Sequence, residues 1–337
     1  MKLLVTGGAG FLGSHFVRDW LDRHPSDQVV TLDLLTYAGL RSAIEELAGH
    51  PRHRFLQGDI CDAGMVRQAM RECEAVVHFA AETHVDRSII DARPFLRTNV
   101  EGTRTLLHGA VALGVKRFIF LSTDEVYGPI LDGAHTEEAP LRPRNPYAAS
   151  KAAGDLLVQA YQATYGLSAI IVRPTNVFGP RQFPEKLIPL CLTNALEDRP
   201  LPLYGDGLHR RSWIFVADLC RAIERVLEAG TTGTVYNISS PWELDNLHVA
   251  GAILRGLSKP EVLITHVPDR PGHDRRYAMD GSRMAQLGWR PQITFEEGLR
   301  ATIAWYRDHP EWWQPLKARV RENPDHWVDR TARSGAC

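Results

Sequence analysis

Short apolar runs rich in β-branched residues recur along the first half of the chain, each followed by a longer amphipathic stretch of helical period. The runs fall at Lys2–Thr6, Gln28–Asp33, 54–57, 75–79, 117–122 and 168–173. The helical patterns between them fall at Phe11–Arg23, 65–73, 94–113 and Pro146–Tyr165, the last opening on a proline, whose missing N–H costs nothing in a first turn. This alternation predicts parallel β-α-β units assembled into a doubly wound α/β sheet. Beyond Arg173 the texture changes: prolines stand at 174, 180, 184, 189, 200 and 202, ahead of a helical pattern at Val216–Ala229 and a strand-like run at 234–238. The expected organisation is a larger domain of residues 1–173 plus about 213–238, a smaller α/β lobe of about 174–212 plus 239–320, and a tail at 321–337 with no chemistry of its own.

At 337 residues the chain is long enough for a sizeable core with a second lobe built onto it. Its 39 Lys and Arg nearly balance 40 Asp and Glu, which leaves no broad basic field for nucleic acid or an anionic membrane and favours a small-molecule partner. The five cysteines are scattered, without a CxxC pair or zinc-like His/Cys spacing; free thiols, no metal and a reducing cytoplasm are expected. The start MKLLVTGGAG has no signal-peptide pattern and no 18-residue apolar stretch occurs, so a soluble, unexported protein is expected.

The first run leads straight into Thr6-Gly7-Gly8-Ala9-Gly10-Phe11-Leu12-Gly13, a G-x-G-x-x-G pattern at Gly8, Gly10 and Gly13 that opens a helix. Asp33 closes the next strand, 20 residues beyond Gly13. Strand, glycine turn, helix and acid in that order are what a dinucleotide site needs: the backbone approaches the pyrophosphate, and free N–H groups at the helix start meet its charge. Asp33 would accept from the adenosine ribose hydroxyls and repel a 2′-phosphate, selecting NAD over NADP. The plainer alternative is a strand–turn–helix with an exposed acid. Asp59 and Ile60, ending the third strand, are candidates for the adenine or for a simple turn.

Tyr147 and Lys151 stand four apart near the start of a helical pattern, on one face. An ammonium beside a phenol stabilises the phenolate, which can then take a proton from a sugar hydroxyl as hydride leaves the same carbon. The fifth strand ends in Ser122-Thr123-Asp124-Glu125-Val126-Tyr127-Gly128, placing a hydroxyl and two adjacent carboxylates at the carboxyl edge of the sheet, where open α/β folds bind ligands. One acid and one base side by side suit the elimination of water. The alternative readings are a surface Tyr-x-x-x-Lys and a solvated acid pair.

These residues resemble the extended short-chain dehydrogenase/reductases, which carry a Rossmann fold, and within them the dTDP-glucose 4,6-dehydratases. The resemblance rests on the glycine turn, Thr-Tyr-Ala-Gly at 36–39, His-Phe-Ala-Ala-Glu-Thr-His-Val-Asp-Arg-Ser at 78–88, Ser-Thr-Asp-Glu-Val-Tyr-Gly at 122–128 and Pro-Tyr-Ala-Ala-Ser-Lys-Ala at 146–152. It continues in Phe-Pro-Glu-Lys-Leu-Ile-Pro-Leu at 183–190 and Asp-Arg-Pro-Gly-His-Asp-Arg-Arg-Tyr at 269–277. It implies that Tyr147 is the base for the C4 hydroxyl, with Thr123 in its relay and Lys151 on the nicotinamide ribose. It implies that Asp124 protonates the leaving C6 hydroxyl and Glu125 takes the C5 proton. NAD would be held by Gly7, Gly8, Gly10, Phe11, Leu12, Gly13, Asp33, Asp59, Ile60, Ala80, Ala81, Asn99, Tyr147 and Lys151. A nucleoside-diphosphate hexose would meet Thr83, Asn176, Glu185, Lys186, Leu187, Tyr204, Arg211, Asn246, Arg270 and His273. A homodimer is implied, pairing the helices at 94–113 and Pro146–Tyr165 as a four-helix bundle.

Three departures stand against this pattern. Where the family has Arg-Cys-Ser-Asn-Asn-Tyr-Gly-Pro, this chain reads Arg173-Pro-Thr-Asn-Val-Phe-Gly-Pro180, so Asn176 remains while Val177 and Phe178 remove two polar contacts expected near the sugar. Thr83 replaces a serine, and Ser212 replaces an acid after Arg211. Together they suggest a specialised relative whose hexose is left open. The competing readings are a sugar-nucleotide 4-epimerase or decarboxylase, which has no use for an adjacent acid and base, and a cofactor-bound protein without catalysis.

Overall fold

The computed structural model describes residues 1–322; all but the first two residues of the expected tail at 321–337 lie outside the described residues. The strands are β1 (Lys2–Thr6), β2 (Gln28–Asp33), β3 (His53–Gln57), β4 (Ala75–His78), β5 (Arg117–Leu121), β6 (Ala169–Pro174), β7 (Asn176–Phe178), β8 (Leu201–Tyr204), β9 (Arg210–Phe215), β10 (Val235–Ile238), β11 (Glu243–Asp245) and β12 (Ile264–Val267). Seven of them form one parallel sheet in the order β10-β6-β5-β4-β1-β2-β3. The order reverses between β1 and β4, which opens a crevice at the carboxyl ends of these strands.

The sheet is buried on both faces because successive residues point to opposite sides. Leu3, Val5, Val77, Ile119 and Val172 pack under the helices Phe11–Arg23 and Val216–Ala229. Leu4, Val76, Phe118, Phe120 and Ile171 pack on the other face against the helices Ala63–Met70, Thr103–Ala112 and Pro146–Tyr165. A third cluster, including Phe178, Leu192, Trp213, Ile253, Phe295 and Trp313, gathers the helices Leu187–Leu196, Asn246–Gly256, Phe295–Asp308 and Pro310–Glu322 around β7, β8 and β9. There β7 pairs with β9 in parallel, β9 with β11 antiparallel and β8 with β12 in parallel. Trp313 anchors the last helix, donating from Nε1 to Tyr306 O at 2.8 Å.

Several sequence expectations shift. The helix expected at 65–73 starts at Ala63, because Asp62 caps it by accepting from the Gly64 and Met65 N–H groups. The helix expected at 94–113 is not one regular helix: it begins at Arg93–Phe95, passes through a π-helical stretch at Leu96–Gly102 and becomes α-helical again at Thr103–Ala112. The cause is visible at Asn99, whose Nδ2 donates to Glu82 O at 3.0 Å and Ser150 Oγ at 2.8 Å while its Oδ1 accepts from Glu82 N at 2.9 Å. One extra residue in the turn aims this side chain inward, as π-bulges often do at functional sites.

Candidate active site

A cleft of about 320 Å³ opens at the carboxyl ends of the strands around the order reversal. Its first wall is backbone. Gly7 has φ of 70°, and a Cβ there would lie 2.7 Å from the Ala80 Cα; a Cβ on Gly13 would lie 2.8 Å from the Gly8 Cα. Only glycine fits this turn. The helix Phe11–Arg23 starts on Gly10 with no side-chain cap and no acid in its first turn, so its free N–H groups face the cleft uncompensated. Asp33 shapes the same wall, accepting from Ala9 N at 2.9 Å and Leu35 N at 2.8 Å. Gly7, Gly10, Phe11, Leu12, Gly13, Asp33, Asp59, Ile60, Ala80 and Ala81 all line the cleft. Gly8 and Asn99 do not; they are buried behind it, with Asn99 tying Glu82 to the helix that carries Tyr147.

The floor carries the acid–base residues. Thr123, Asp124, Glu125, Tyr147 and Lys151 all line the cleft. Thr123 caps the short helical turn Asp124–Tyr127, accepting from Glu125 N at 3.3 Å, and its hydroxyl lies 3.1 Å from Asp124 Oδ1. The same hydroxyl favours the ionised Tyr147 phenol, against the larger effect of burial. Asn145 caps the helix Pro146–Tyr165 through Oδ1, accepting from Ala148 N at 2.8 Å, and donates from Nδ2 to Glu125 Oε2 at 3.0 Å. Burial, then the neighbouring Glu125 charge, push the Asp124 carboxyl up to about 7, against the pull of Arg211 and Thr123. Asp124 therefore titrates close to neutrality, well above an ordinary carboxyl.

The Lys151 ammonium is engaged with the sheet. Spacing does put the residue on the face of Tyr147, but its ammonium donates to Leu121 O at 2.7 Å and lies 4.4 Å from the Phe120 ring centre. Burial pulls Lys151 down to about 8, while burial and then Glu125 push the Tyr147 phenol above its ordinary range. Only Thr123 opposes that rise here.

The second wall is made of side chains. Thr83, Asn176, Glu185 and Lys186 line the cleft. Tyr37 donates from its hydroxyl to Glu185 Oε1 at 2.9 Å, and Lys186 Nζ donates to Thr83 O at 2.8 Å. Leu187, Tyr204, Arg211, Asn246, Arg270 and His273 do not line this cavity. Leu187 packs against the second-lobe core, and Asn246 begins a helix with its N–H on His209 O. Of the remaining four, Arg211 and Arg270 act by charge on cleft residues. Arg211 acts on Asp124, while Arg270 Nη1 and the Tyr204 hydroxyl both donate to Asp86, at 2.9 and 2.7 Å. His273 shares Asp269 with His209. These three residues converge like metal ligands, yet the imidazoles stack at 3.7 Å and 13°, and an ion must lie in both ring planes, which parallel stacked rings do not share. Lys186 and Arg270 are thus engaged with partners instead of being solvated surface charges.

The departures sort differently from expectation. Val177 lines the cleft, but Phe178 is fully buried, packed edge-on to Trp213 and Phe215 and tilted against Phe295. The change at 178 therefore removes no sugar contact. Ser212 lies in β9, buried, with its carbonyl turned to Thr175. Sequence reasoning gave no role to Asn145, Asp86 or Thr175. Asn145 carried a signal, since Asn before Pro is a helix cap, but its second contact crosses 20 residues.

A doubly wound sheet with a glycine turn and Tyr-x-x-x-Lys at its carboxyl edge defines the extended short-chain dehydrogenase/reductase class. The profile of the family described as GDP-mannose 4,6 dehydratase matches residues 4–302, and the chain belongs to that family. A dTDP-glucose 4,6-dehydratase of Streptomyces niveus is 49% identical over 323 residues, covering 94% of this chain and 96% of its own. The crystal structure of DesIV, a dTDP-glucose 4,6-dehydratase from Streptomyces venezuelae with NAD and dTDP bound, is similar at a TM-score of 0.92 and 51% identity, over 94% of this chain and 100% of that one. A Thermus thermophilus UDP-glucose 4-epimerase in complex with NAD is similar at a TM-score of 0.84 and 33% identity, over 91% and 99%. Dehydratase and epimerase thus share the fold, and the reacting groups must separate them.

Proposed function

We propose that the chain is an NAD-dependent dTDP-glucose 4,6-dehydratase, a hydro-lyase that converts dTDP-glucose to dTDP-4-keto-6-deoxyglucose. The observation that carries the reading is the meeting of Thr123, Asp124, Glu125 and Tyr147 on one cleft floor, with the Asp124 carboxyl pushed up to about 7. The uncapped helix start, the glycines with no room for a Cβ and the buried Asp33 fit a dinucleotide. NAD held there would supply a hydride acceptor for C4 and the hydride for C6, so none would be consumed.

Tyr147, acting as its phenolate, takes the proton of the C4 hydroxyl. The resulting ketone acidifies C5–H, and Glu125 removes that proton. Asp124 gives its proton to the C6 oxygen as the C6–O bond breaks, so the C5–H electron pair becomes a C5=C6 bond and water leaves. Glu125 then returns its proton to C5. At this point Tyr147 has gained one proton and Asp124 has lost one. Thr123, on the same cleft floor as Tyr147 and 3.1 Å from Asp124 Oδ1, is placed to carry that proton back. Arginines such as Arg211 and Arg270 suit the diphosphate, since a planar guanidinium meets two oxygens at once.

The remaining parts of the proposal concern organisation. Residues 1–173 with about 213–238 hold the cofactor, and about 174–212 with 239–320 hold the sugar nucleotide. The chain works as a homodimer through the helices at 93–112 and Pro146–Tyr165, which leave Leu96, Leu113, Leu156 and Tyr165 exposed on or next to them. It acts in the cytoplasm; no helix among the described residues is long and apolar enough to cross a membrane.

Incubating the purified protein with dTDP-glucose and with UDP-glucose tests the reading. A 4-keto product lighter by one water, from the dTDP sugar and with NAD found in the denatured protein, supports it. Epimerised sugar without loss of water contradicts it.

A further inference from the structure

Thr175 lies between β6 and β7, buried, with its backbone N–H on Ile238 O at 3.0 Å. Its hydroxyl oxygen has two oxygen neighbours: Ser212 O at 2.8 Å and Asp124 Oδ2 at 3.4 Å. A hydroxyl carries one proton, and a peptide carbonyl has none to offer. The 2.8 Å contact has the ordinary length for O–H···O and the 3.4 Å contact does not, so the Thr175 proton belongs to Ser212 O. What Thr175 turns towards Asp124 is then a lone pair. An ionised carboxylate would meet that lone pair with another, whereas a carboxylic acid protonated on Oδ2 would donate into it. The neighbouring Glu125 differs, since Asn145 Nδ2 donates to its Oε2 at 3.0 Å and a carboxylate accepts such a bond.

We propose that Thr175, held by the Ser212 carbonyl, is a positioning residue that keeps the proton on Asp124 Oδ2 and so selects which of the two adjacent carboxyls is the acid. The inference rests on the dehydratase reading. When the C6 oxygen arrives, the O–H bond of Asp124 breaks towards it, the C6–O bond breaks and water departs. The Asp124 anion left behind then faces the Thr175 lone pair, which favours recovery of the proton before the next turnover. Contacts of this kind are commonly long without substrate and tighten with it. Ser212 takes part only through its backbone, so strand β9 ties the acid of the sheet edge to the second lobe.

The test compares Thr175→Val, which keeps the shape and removes the oxygen, with Thr175→Ser, which restores it. In single turnovers with dTDP-glucose, the rise of the NADH band reports C4 oxidation and its decay reports elimination with hydride return. For Thr175→Val the rise matches wild type, the decay slows about tenfold, and the pH at which decay fails moves down by about one unit, the value of one hydrogen bond. Thr175→Ser behaves as wild type. An unchanged decay and pH profile in Thr175→Val, or an equal slowing of rise and decay in both variants, overturns the proposal. Should the valine variant not fold, isotope-edited infrared spectra of wild type at pH 6 decide it. A protonated-carboxyl C=O stretch that is absent from Asp124→Asn, kept in Thr175→Ser and shifted in Thr175→Ala supports the proposal; its absence from wild type, or an unshifted stretch in Thr175→Ala, overturns it. If Asp124→Asn itself turns over normally, the dehydratase reading fails; if only the Thr175 variants are silent, this inference alone fails.

Discussion

One wall of the cleft is set by backbone and contiguous motifs: Gly7 and Gly13 leave no space for a Cβ, and Asp33 is fastened by the N–H groups of Ala9 and Leu35. The opposite wall is set by side chains paired across the chain, Tyr37 with Glu185 over 148 positions and Lys186 with the Thr83 carbonyl over 103, and outside the cavity Asp86 holds Tyr204 over 118 positions and Arg270 over 184. The first wall is a preformed mould. In the second the charges already have partners, so a sugar nucleotide must exchange contacts with them. Binding there has to be read as a difference between protein–protein and protein–ligand bonds, not as a sum of new ones.

Substitutions can break this contrast. The largest effect belongs to Tyr147→Phe on the floor between the walls, where loss of the base lowers C4 oxidation by about 10²–10⁴, seen as loss of the NADH band and of product alike. Next is Asp86→Asn, which removes the shared acceptor of Arg270 and Tyr204. A charge-assisted bond is worth about 1.5–3 kcal/mol, so KM for dTDP-glucose should change by about 10–100-fold while the NAD content of the purified protein stays the same. A change confined to NAD content would show that the walls are not separate. Phe178→Tyr tests the core behind the second wall. The Phe178 Cζ already lies 2.9 Å from where a Cβ on Gly298 would be, so an added hydroxyl finds no room and costs about 1–3 kcal/mol in urea unfolding, with substrate preference unchanged.

The smallest effect is a pH-dependent one on stability. Burial raises the Asp124 carboxyl from its ordinary 3.8 to about 7. The folded state then binds that proton more tightly than the unfolded chain, and the stability so gained is full below 3.8 and lost as pH rises through about 7. Asp124→Asn abolishes the ionisation in place. Its Tm should exceed that of wild type by a few degrees at pH 8 and by little at pH 5. Equal differences at both pH values would mean that the carboxylate is not strained by burial.

The two walls also differ in how far the sequence disclosed them. The glycine turn, Asp33 and the strand–helix alternation are local patterns with one structural solution, and each was readable. The π-helical stretch at Leu96–Gly102 was not, because its apolar period is that of a helix and its cause, Asn99, finds partners at Glu82 and Ser150. Spacing located Lys151 beside Tyr147 but not its ammonium, which turns to a carbonyl of β5. Phe178 looked like a lost sugar contact because the family carries a tyrosine there, yet the structure buries it in the second-lobe core at the end of β7. Thr175 was silent, since its partners stand 51 and 37 positions away.

The central claim is that oxidation and elimination are separate duties of one cleft floor, divided between Tyr147 and the Asp124–Glu125 pair. Stopped-flow absorbance of Asp124→Asn in a single turnover with dTDP-glucose tests it most directly. An amide cannot protonate a leaving hydroxide, so the NADH band should rise at the wild-type rate and then persist, with product delayed by about 10²–10⁴. A band that decays at the wild-type rate, with 4-keto-6-deoxy product formed in step, would contradict the account.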